Sequence, residues 1–299
     1  MMEQAVLENI CRACFGRQPE AVERCAQGIA NYVYKVTCGD ACYSLRCSRE
    51  PDAYENSAYW LERLAALEVP VPRVLAKGSL EGWEYLVLNW LEGQDLGPAY
   101  PGLTAADKEA IARQVEAIQR RVAGLNVPAA PGWRWQDEVY GMLDRAEKLI
   151  AQNGYFDPEK VHRLRTAAQT LEDYFSSVKP VAYLDDVTTK NLLVKDGHVS
   201  GVIDIDWMGM GDRLTYVALT RMSLLNMEQD DDYVACLLAE YGPDEAQKRA
   251  FAFYTLMYCV DFMGERGTAF CGRRVPADPP VIERLNRLFD HLWKEWLDM

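Results

Sequence analysis

Three oxygen-bearing side chains between residues 182 and 212 have the types and spacing to do chemistry. In AYLDDVTTKNLLVKDGHVSGVIDIDWMGMGD, Asp186 and Asn191 bracket a polar loop. Asp204 ends the second of two β-like runs, Asn191–Val194 and Val199–Ile203. Asp196-Gly197 joins those runs as a favourable hairpin pair, a geometry that returns Asp204 to the loop. A carboxylate and a carboxamide oxygen are hard ligands suited to Mg²⁺. A second carboxylate can accept a hydroxyl proton and orient that hydroxyl for attack. Such parts suit phosphoryl transfer, because the phosphates' dense negative charge needs a cation among them. Alone, an Asp and an Asn at this spacing would read as turn caps on a surface hairpin. The hairpin and the following Asp at matching distance decide for the chemical reading.

Through Asp186-x4-Asn191, Gly201-Val-Ile-Asp204 and Gly211-Asp212, the chain resembles the aminoglycoside phosphotransferases and their small-molecule kinase relatives. The resemblance implies an α+β, bilobal protein-kinase-like fold, with a small β-sheet N-lobe and a mostly helical C-lobe. It implies Mg²⁺- and ATP- or GTP-dependent phosphorylation of a small-molecule hydroxyl. Asp186 would be the base or orienting carboxylate, and Asn191 and Asp204 the metal ligands. The family usually has a His two residues before the catalytic Asp, bracing the loop. Here that position is Leu184, which bears on loop geometry more than on proton transfer.

Upstream elements must position a nucleotide. Gly28-Ile-Ala-Asn31-Tyr-Val-Tyr34-Lys-Val36 matches the family's loop over the phosphates and implies nucleotide contacts at Gly28 and Asn31. With one glycine, the same stretch also reads as an ordinary hairpin. The strand Ala41–Cys47 carries Arg46 where kinases place a phosphate-binding Lys, and a guanidinium fork can do that work. The plain alternative is a surface Arg on the wet face of an edge strand. A helix is expected from Pro51-Asp52 to about Leu67, with Ala58, Leu61, Leu64 and Ala65 as its core stripe. The resemblance pairs Glu55, in its first turn, with Arg46; otherwise Glu55 favours the helix dipole. Leu86-Val-Leu-Asn89-Trp-Leu91-Glu-Gly93 resembles the inter-lobe hinge, with adenine against the backbone of Asn89 and Leu91. The lobes would then be 1–91 and 92–299.

The second lobe reads as helices over Ala105–Leu125, Gln136–Asn153, Pro158–Ser177, Leu214–Met227, Asp232–Tyr241, Asp244–Gly264 and Pro280–Trp296. Three acids there are candidates for the acceptor. Asp261 and Glu265 share a helix face at i, i+4, and such like charges call for a cation. In the resembled enzymes acidic C-lobe residues bind cationic sugar amines; Arg266 or Arg273 would be the plain ion-pair partner. Asp206, two residues after Asp204, is the third.

Composition excludes several classes. With 299 residues, 49% apolar and 26% charged, the chain is globular and long enough for two lobes. A net charge of −13 argues against a nucleic-acid partner and suits a cationic ligand or simple solubility. No run of eighteen apolar residues is present, so no membrane partner is expected. The first residues carry an early acid and no basic segment, which points away from a secretory signal and towards the cytoplasm. Nine cysteines, an odd number, read as reduced thiols, and Cys11-x-x-Cys14 lacks a second pair for zinc. The expected enzyme is a small-molecule kinase, with an aminoglycoside or other cationic amino sugar as the leading acceptor. Choline-like, sugar and macrolide acceptors remain open. A nucleotide-binding pseudokinase is the rival, favoured by Leu184 and the single glycine and opposed by the intact Asp186, Asn191 and Asp204. A protein kinase fits less well, since Trp207 to Arg213 is too short for a peptide-docking activation loop.

Overall fold

Alternating burial is what makes the first sheet. Along Tyr32–Cys38 the side chains of Tyr34, Val36 and Cys38 are buried while those between them stay partly accessible, the pattern of a strand with one apolar face. The computed structural model describes residues 4–25, 32–270 and 273–299, and the chain divides into two compact units. One comprises Met1–Gly93, Ser200–Trp207 and Phe270–Arg273, the other Gln94–Val199, Met208–Ala269 and Arg274–Met299. Gly28 and Asn31 lie outside the described residues.

The first unit begins with α1 (Gln4–Phe15) and continues into five antiparallel strands: β1 (Ala21–Arg24), β2 (Tyr32–Cys38), β3 (Ala41–Ser48), β4 (Val74–Leu80) and β5 (Trp83–Asn89). Their order is β1-β2-β3-β5-β4. Val6, Leu7, Ile10 and Cys11 of α1 meet Tyr34, Val36, Leu45, Cys47, Trp83 and Val87 of the sheet in one core. Burial first of all pushes the Cys11 and Cys47 thiols up to about 12, so they pack as small apolar groups. Between β3 and β4 lies α2, which spans Glu55–Ala66. It starts later than Pro51-Asp52 would suggest, because Asp52 sits at φ 56 and interrupts helical backbone. In this unit two strands escape the sequence reading: β1 is four exposed residues, and β4 carries Lys77 and Gly78 in its middle.

The second unit is mostly helical. It contains β6 (Gln94–Asp95), α3 (Leu96–Ala99), α4 (Ala105–Ala123), α5 (Trp135–Asn153), α6 (Glu159–Gln169) and α7 (Glu172–Ser177). After these come β7 (Ala182–Tyr183), β8 (Leu192–Lys195), β9 (His198–Val202), β10 (Gly209–Met210), α8 (Leu214–Asn226), α9 (Asp232–Tyr241), α10 (Glu245–Glu265) and α11 (Pro279–Leu297). Capping boxes start α4 at Thr104 and α10 at Asp244. The helix expected over Pro158–Ser177 is two, because Leu171 leaves helical backbone at φ −111, ψ 6. Just before it, the Thr170 hydroxyl donates to the Ala167 carbonyl, a local bond that competes with helix continuation. Apolar on nearly every side, α10 buries Phe253, Tyr254, Leu256, Met257 and Val260 against α5, α8 and α11.

β8 and β9 join through Asp196-Gly197, both at positive φ (51 and 72), as the hairpin pair requires. From Ser200 onward the chain groups with the first unit, where the Val202 amide donates to the Pro70 carbonyl at 2.8 Å. Residues 200–207 therefore carry Asp204 and Asp206 into the sheet-bearing unit, whereas a single boundary after residue 91 would leave them with the helices. Among the described residues, no helix is long and apolar enough to cross a membrane.

Candidate active site

The loop between β7 and β8 is held from below by a side chain that no motif marks. Leu184 is 2% exposed, and its backbone is gripped by Gln119 of α4, itself fully buried. Gln119 Oε1 accepts from the Leu184 amide at 2.9 Å, and Gln119 Nε2 donates to the Leu184 carbonyl at 2.7 Å. The position where the resembled family usually has a bracing His is thus an apolar residue, and its backbone is braced instead. One signal was legible. Gln119 lies among Ile111, Val115, Ile118 and Val122 on the buried side of α4, and a polar residue there demands partners.

Above that grip, Asp186 is exposed and its Oδ1 accepts from Thr188 Oγ1 at 2.8 Å. Asn191 Nδ2 donates to the Asp186 carbonyl at 3.1 Å, and the Asn191 amide to the Thr188 carbonyl at 3.2 Å. These bonds commit the nitrogen side of the Asn191 amide to the loop and leave its oxygen as the group able to ligate a cation. The expected pair, Asp186 and Asn191, therefore belongs to one hydrogen-bonded turn.

Asp185, which the sequence reading passed over, adds a second carboxyl. Burial pushes it up to about 6 from 3.8, and the Asp186 charge adds to the rise. A carboxyl whose folded value exceeds its unfolded one lends stability that is fully present below pH 4 and lost as pH rises towards 6. Asp185→Asn is expected to raise the melting temperature by a few degrees at pH 7.5 and to give no gain at pH 4. Differential scanning calorimetry at both pH values checks this, and an equal gain at both would contradict it.

The acids of α10 are placed differently from expectation. Asp261 is 7% exposed and pairs with Arg145 of α5 at 2.8 Å. Its call for a cation is answered within the protein, which corrects its placement as an acceptor contact. The partner is also neither of the arginines expected. Arg266 donates through Nε to the Phe262 carbonyl at 2.8 Å, and the Arg273 side chain lies outside the described residues. Glu265 stays partly accessible; burial raises its carboxyl, Asp261 raises it further, and Arg266, Arg145 and Lys190 oppose. On the same helix, burial and then the charges of Tyr183, Asp185, Asp261 and Asp186 push the Tyr258 phenol well above its ordinary value.

Within the first unit, Arg46 is 5% exposed, which rules out a wet-face arginine. Its Nη2 lies 2.7 Å from Asp206 Oδ2 and 3.1 Å from Asp204 Oδ1. Glu55 is not its partner; that carboxylate is exposed and pairs with Lys77 of β4 at 2.5 Å. The reason is the later start of α2, which directs Asn56 and Ser57 at residues 204–206 instead. Asn56 Nδ2 donates to the Asp206 carbonyl, and Ser57 Oγ donates to Asp206 Oδ1 at 2.6 Å. Asp206 is corrected accordingly from an acceptor contact to an anchor of Arg46, since both its carboxylate oxygens are engaged inside the first unit. Asp204 has φ 60, a conformation Asp tolerates and one that clusters at functional positions. At the hinge segment, the Asn89 amide donates to the Arg73 carbonyl and the Trp90 amide to the Cys42 carbonyl, both at 3.2 Å. Leu91 is the first residue there whose N–H is not drawn into the sheet, so the expectation of a backbone contact at Asn89 does not extend to its N–H.

Comparison with known proteins bears on the family and the fold. The model of the phosphotransferase enzyme family matches residues 21–251. An aminoglycoside 3'-phosphotransferase of Streptomyces fradiae is 26% identical over 260 residues, covering 76% of this chain and 89% of its own. One from Niallia circulans is 26% identical over 233 residues, covering 72% and 86%. A thermostable mutant of the aminoglycoside phosphotransferase APH(4)-Ia, solved in ternary complex with AMP-PNP and hygromycin B, superposes with a TM-score of 0.66. That superposition covers 95% of this chain and 97% of the other at 16% identity, a likeness of fold. The α+β kinase-like class, a small antiparallel sheet followed by a mostly helical remainder, is the fold observed.

Proposed function

Because the chain belongs to the phosphotransferase enzyme family, we propose that it transfers the γ-phosphoryl group of ATP or GTP to a hydroxyl of a cationic small molecule, an aminoglycoside or related amino sugar first among them. The observation that carries this reading is the Asp186 turn: an exposed carboxylate that accepts from Thr188 Oγ1, on a backbone fixed by Gln119 and Asn191. Asp186 Oδ2 accepts no hydrogen bond from the described protein and is available to a substrate hydroxyl. The hydroxyl oxygen attacks the γ-phosphorus while the bond to the β–γ bridging oxygen breaks and the nucleoside diphosphate leaves with that electron pair. The hydroxyl proton passes to Asp186 and from there to water.

Asn191, through its amide oxygen, and Asp204, through its carboxylate, would each hold Mg²⁺, which neutralises phosphate charge and polarises the transferring group. Each atom, taken by itself, suits that ion as a hard oxygen donor. Mg²⁺ characteristically takes its remaining ligands from phosphates and water. Arg46 contacts phosphate in this reading, and Leu91 meets the base. Asp185, Asp186 and Glu265 give the second unit carboxylates for a cationic acceptor. The names of the Streptomyces fradiae and Niallia circulans relatives support that acceptor class. A reaction that consumes ATP or GTP is consistent with a cytoplasmic enzyme.

The test is release of ADP or GDP from Mg-ATP or Mg-GTP in the presence of aminoglycosides, amino sugars and choline-like compounds. Acceptor-stimulated release, with mass gain of one phosphoryl group on the acceptor, is expected for at least one aminoglycoside. Nucleotide binding without turnover on any acceptor would leave a pseudokinase, and absence of nucleotide binding would end the reading altogether.

A further inference from the structure

Arg46 faces two carboxylates with one guanidinium. Asp204 and Asp206 both reach its Nη2, while its Nε finds no partner among the described residues and its guanidinium carbon lies 5.6 Å from the Tyr54 ring centre. The two acids are not equivalent. The Asp204 side chain is 52% exposed, the Asp206 side chain 31%. Asp206 is further tied down by Ser57 Oγ at its Oδ1 and by Asn56 at its carbonyl, and Ser57 is 1% exposed. Arg46 has a fixed carboxylate and an accessible one.

We propose that Asp206 is a positioning residue that keeps the buried Arg46 paired and aligned, so that Asp204 can turn from Arg46 to Mg²⁺ without stranding a buried charge. This rests on the reading of Asp204 as a metal ligand and Arg46 as a phosphate contact. The physical reason is competition. A buried guanidinium with one carboxylate holds it tightly, because losing that partner leaves an uncompensated charge out of water. A second, anchored carboxylate removes that cost, so the first can exchange its contact with Arg46 for one with a cation. Arg46 meanwhile stays orientated by a partner that is not itself consumed by the metal. The anchor is built from α2 through Asn56 and Ser57, the helix to which the resemblance assigned Glu55.

The test uses the whole protein and reads ADP binding by isothermal titration calorimetry across a Mg²⁺ series, with thermal melting alongside. Asp206→Asn keeps the side chain's size and an acceptor for Ser57 but removes the charge. It is expected to raise the Mg²⁺ concentration for half-maximal ADP binding by about tenfold, the scale of an ordinary coupling between sites. Asp206→Glu is expected to restore most of that dependence, and Ser57→Ala to shift it in the same direction by about threefold. A residue that only supported the fold would lower the melting temperature and leave the Mg²⁺ midpoint in place. An unchanged or lowered midpoint in Asp206→Asn overturns the proposal, and if that variant does not melt cooperatively, an unchanged midpoint in Ser57→Ala does so. If the wild type binds no ADP at any Mg²⁺ concentration, the nucleotide reading itself falls, and the proposal falls with it.

Discussion

Asp186→Asn is expected to lower acceptor-dependent phosphoryl transfer by about 10³-fold, within the range that a positioned general base contributes. The loss should appear in kcat, with ADP affinity and melting temperature close to wild type. The structure explains why these separate. Asp186 is exposed, and the side-chain bond it accepts from Thr188 Oγ1 can equally be accepted by the amide oxygen of Asn. Its backbone carbonyl, which anchors Asn191, is untouched by the change. The variant therefore keeps the turn and loses only the proton acceptor. Initial rates at saturating nucleotide and acceptor, with ADP titrated into the same preparation, are the measurement. Retention of more than a tenth of wild-type kcat would show that the proton leaves by another route.

Gln119→Leu is the second large effect, and it acts at a distance from any substrate. The substitution fills a similar volume but deletes both bonds to the Leu184 backbone, leaving a buried N–H and a buried C=O without partners. Each orphaned buried group costs about 1–3 kcal/mol, so a loss of roughly 2–6 kcal/mol in stability is expected. At about 2–4 °C per kcal/mol for a large domain, the melting temperature should fall by roughly 4–24 °C. Turnover should fall as well, by about 10²-fold, because the loop that carries Asp186 hangs from Leu184 and small misplacements are costly. Nucleotide affinity is expected to change little. Melting, kcat and ADP binding on one sample decide it. A melting temperature within 2 °C of wild type would mean that water replaces both bonds.

The same residue answers the rival reading that Leu184 raised. A missing His at that position counts against catalysis only if the loop has no other support. Gln119 supplies two bonds to the backbone, and the buried Leu184 side chain fills the space beneath. Short-range pattern could not reveal this, because Gln119 and Leu184 are 65 residues apart and a helix interior shows only that one polar residue is out of place.

Local chemistry was legible wherever the chain supplies its own partners. Asp186, Thr188 and Asn191 form one turn from six consecutive residues, so their relation follows from spacing. The Asp196-Gly197 hairpin and the capping boxes at Thr104 and Asp244 are equally local, and the helix boundaries largely follow. Charge pairing was not legible in this way. The sequence offered Arg46 a partner in Glu55 and offered Asp261 one in Arg266 or Arg273. In the folded protein Arg46 meets Asp204 and Asp206, and Asp261 meets Arg145. A long side chain reaches any of several oppositely charged neighbours, and burial selects among them by the desolvation each pairing avoids. What the sequence by itself determined about this protein is therefore the reaction class and the turn proposed to carry it, since covalent proximity holds the residues of that turn together. Tertiary structure alone decided which carboxylates are spent on structure and which remain open to chemistry, because that depends on which charges the fold removes from water.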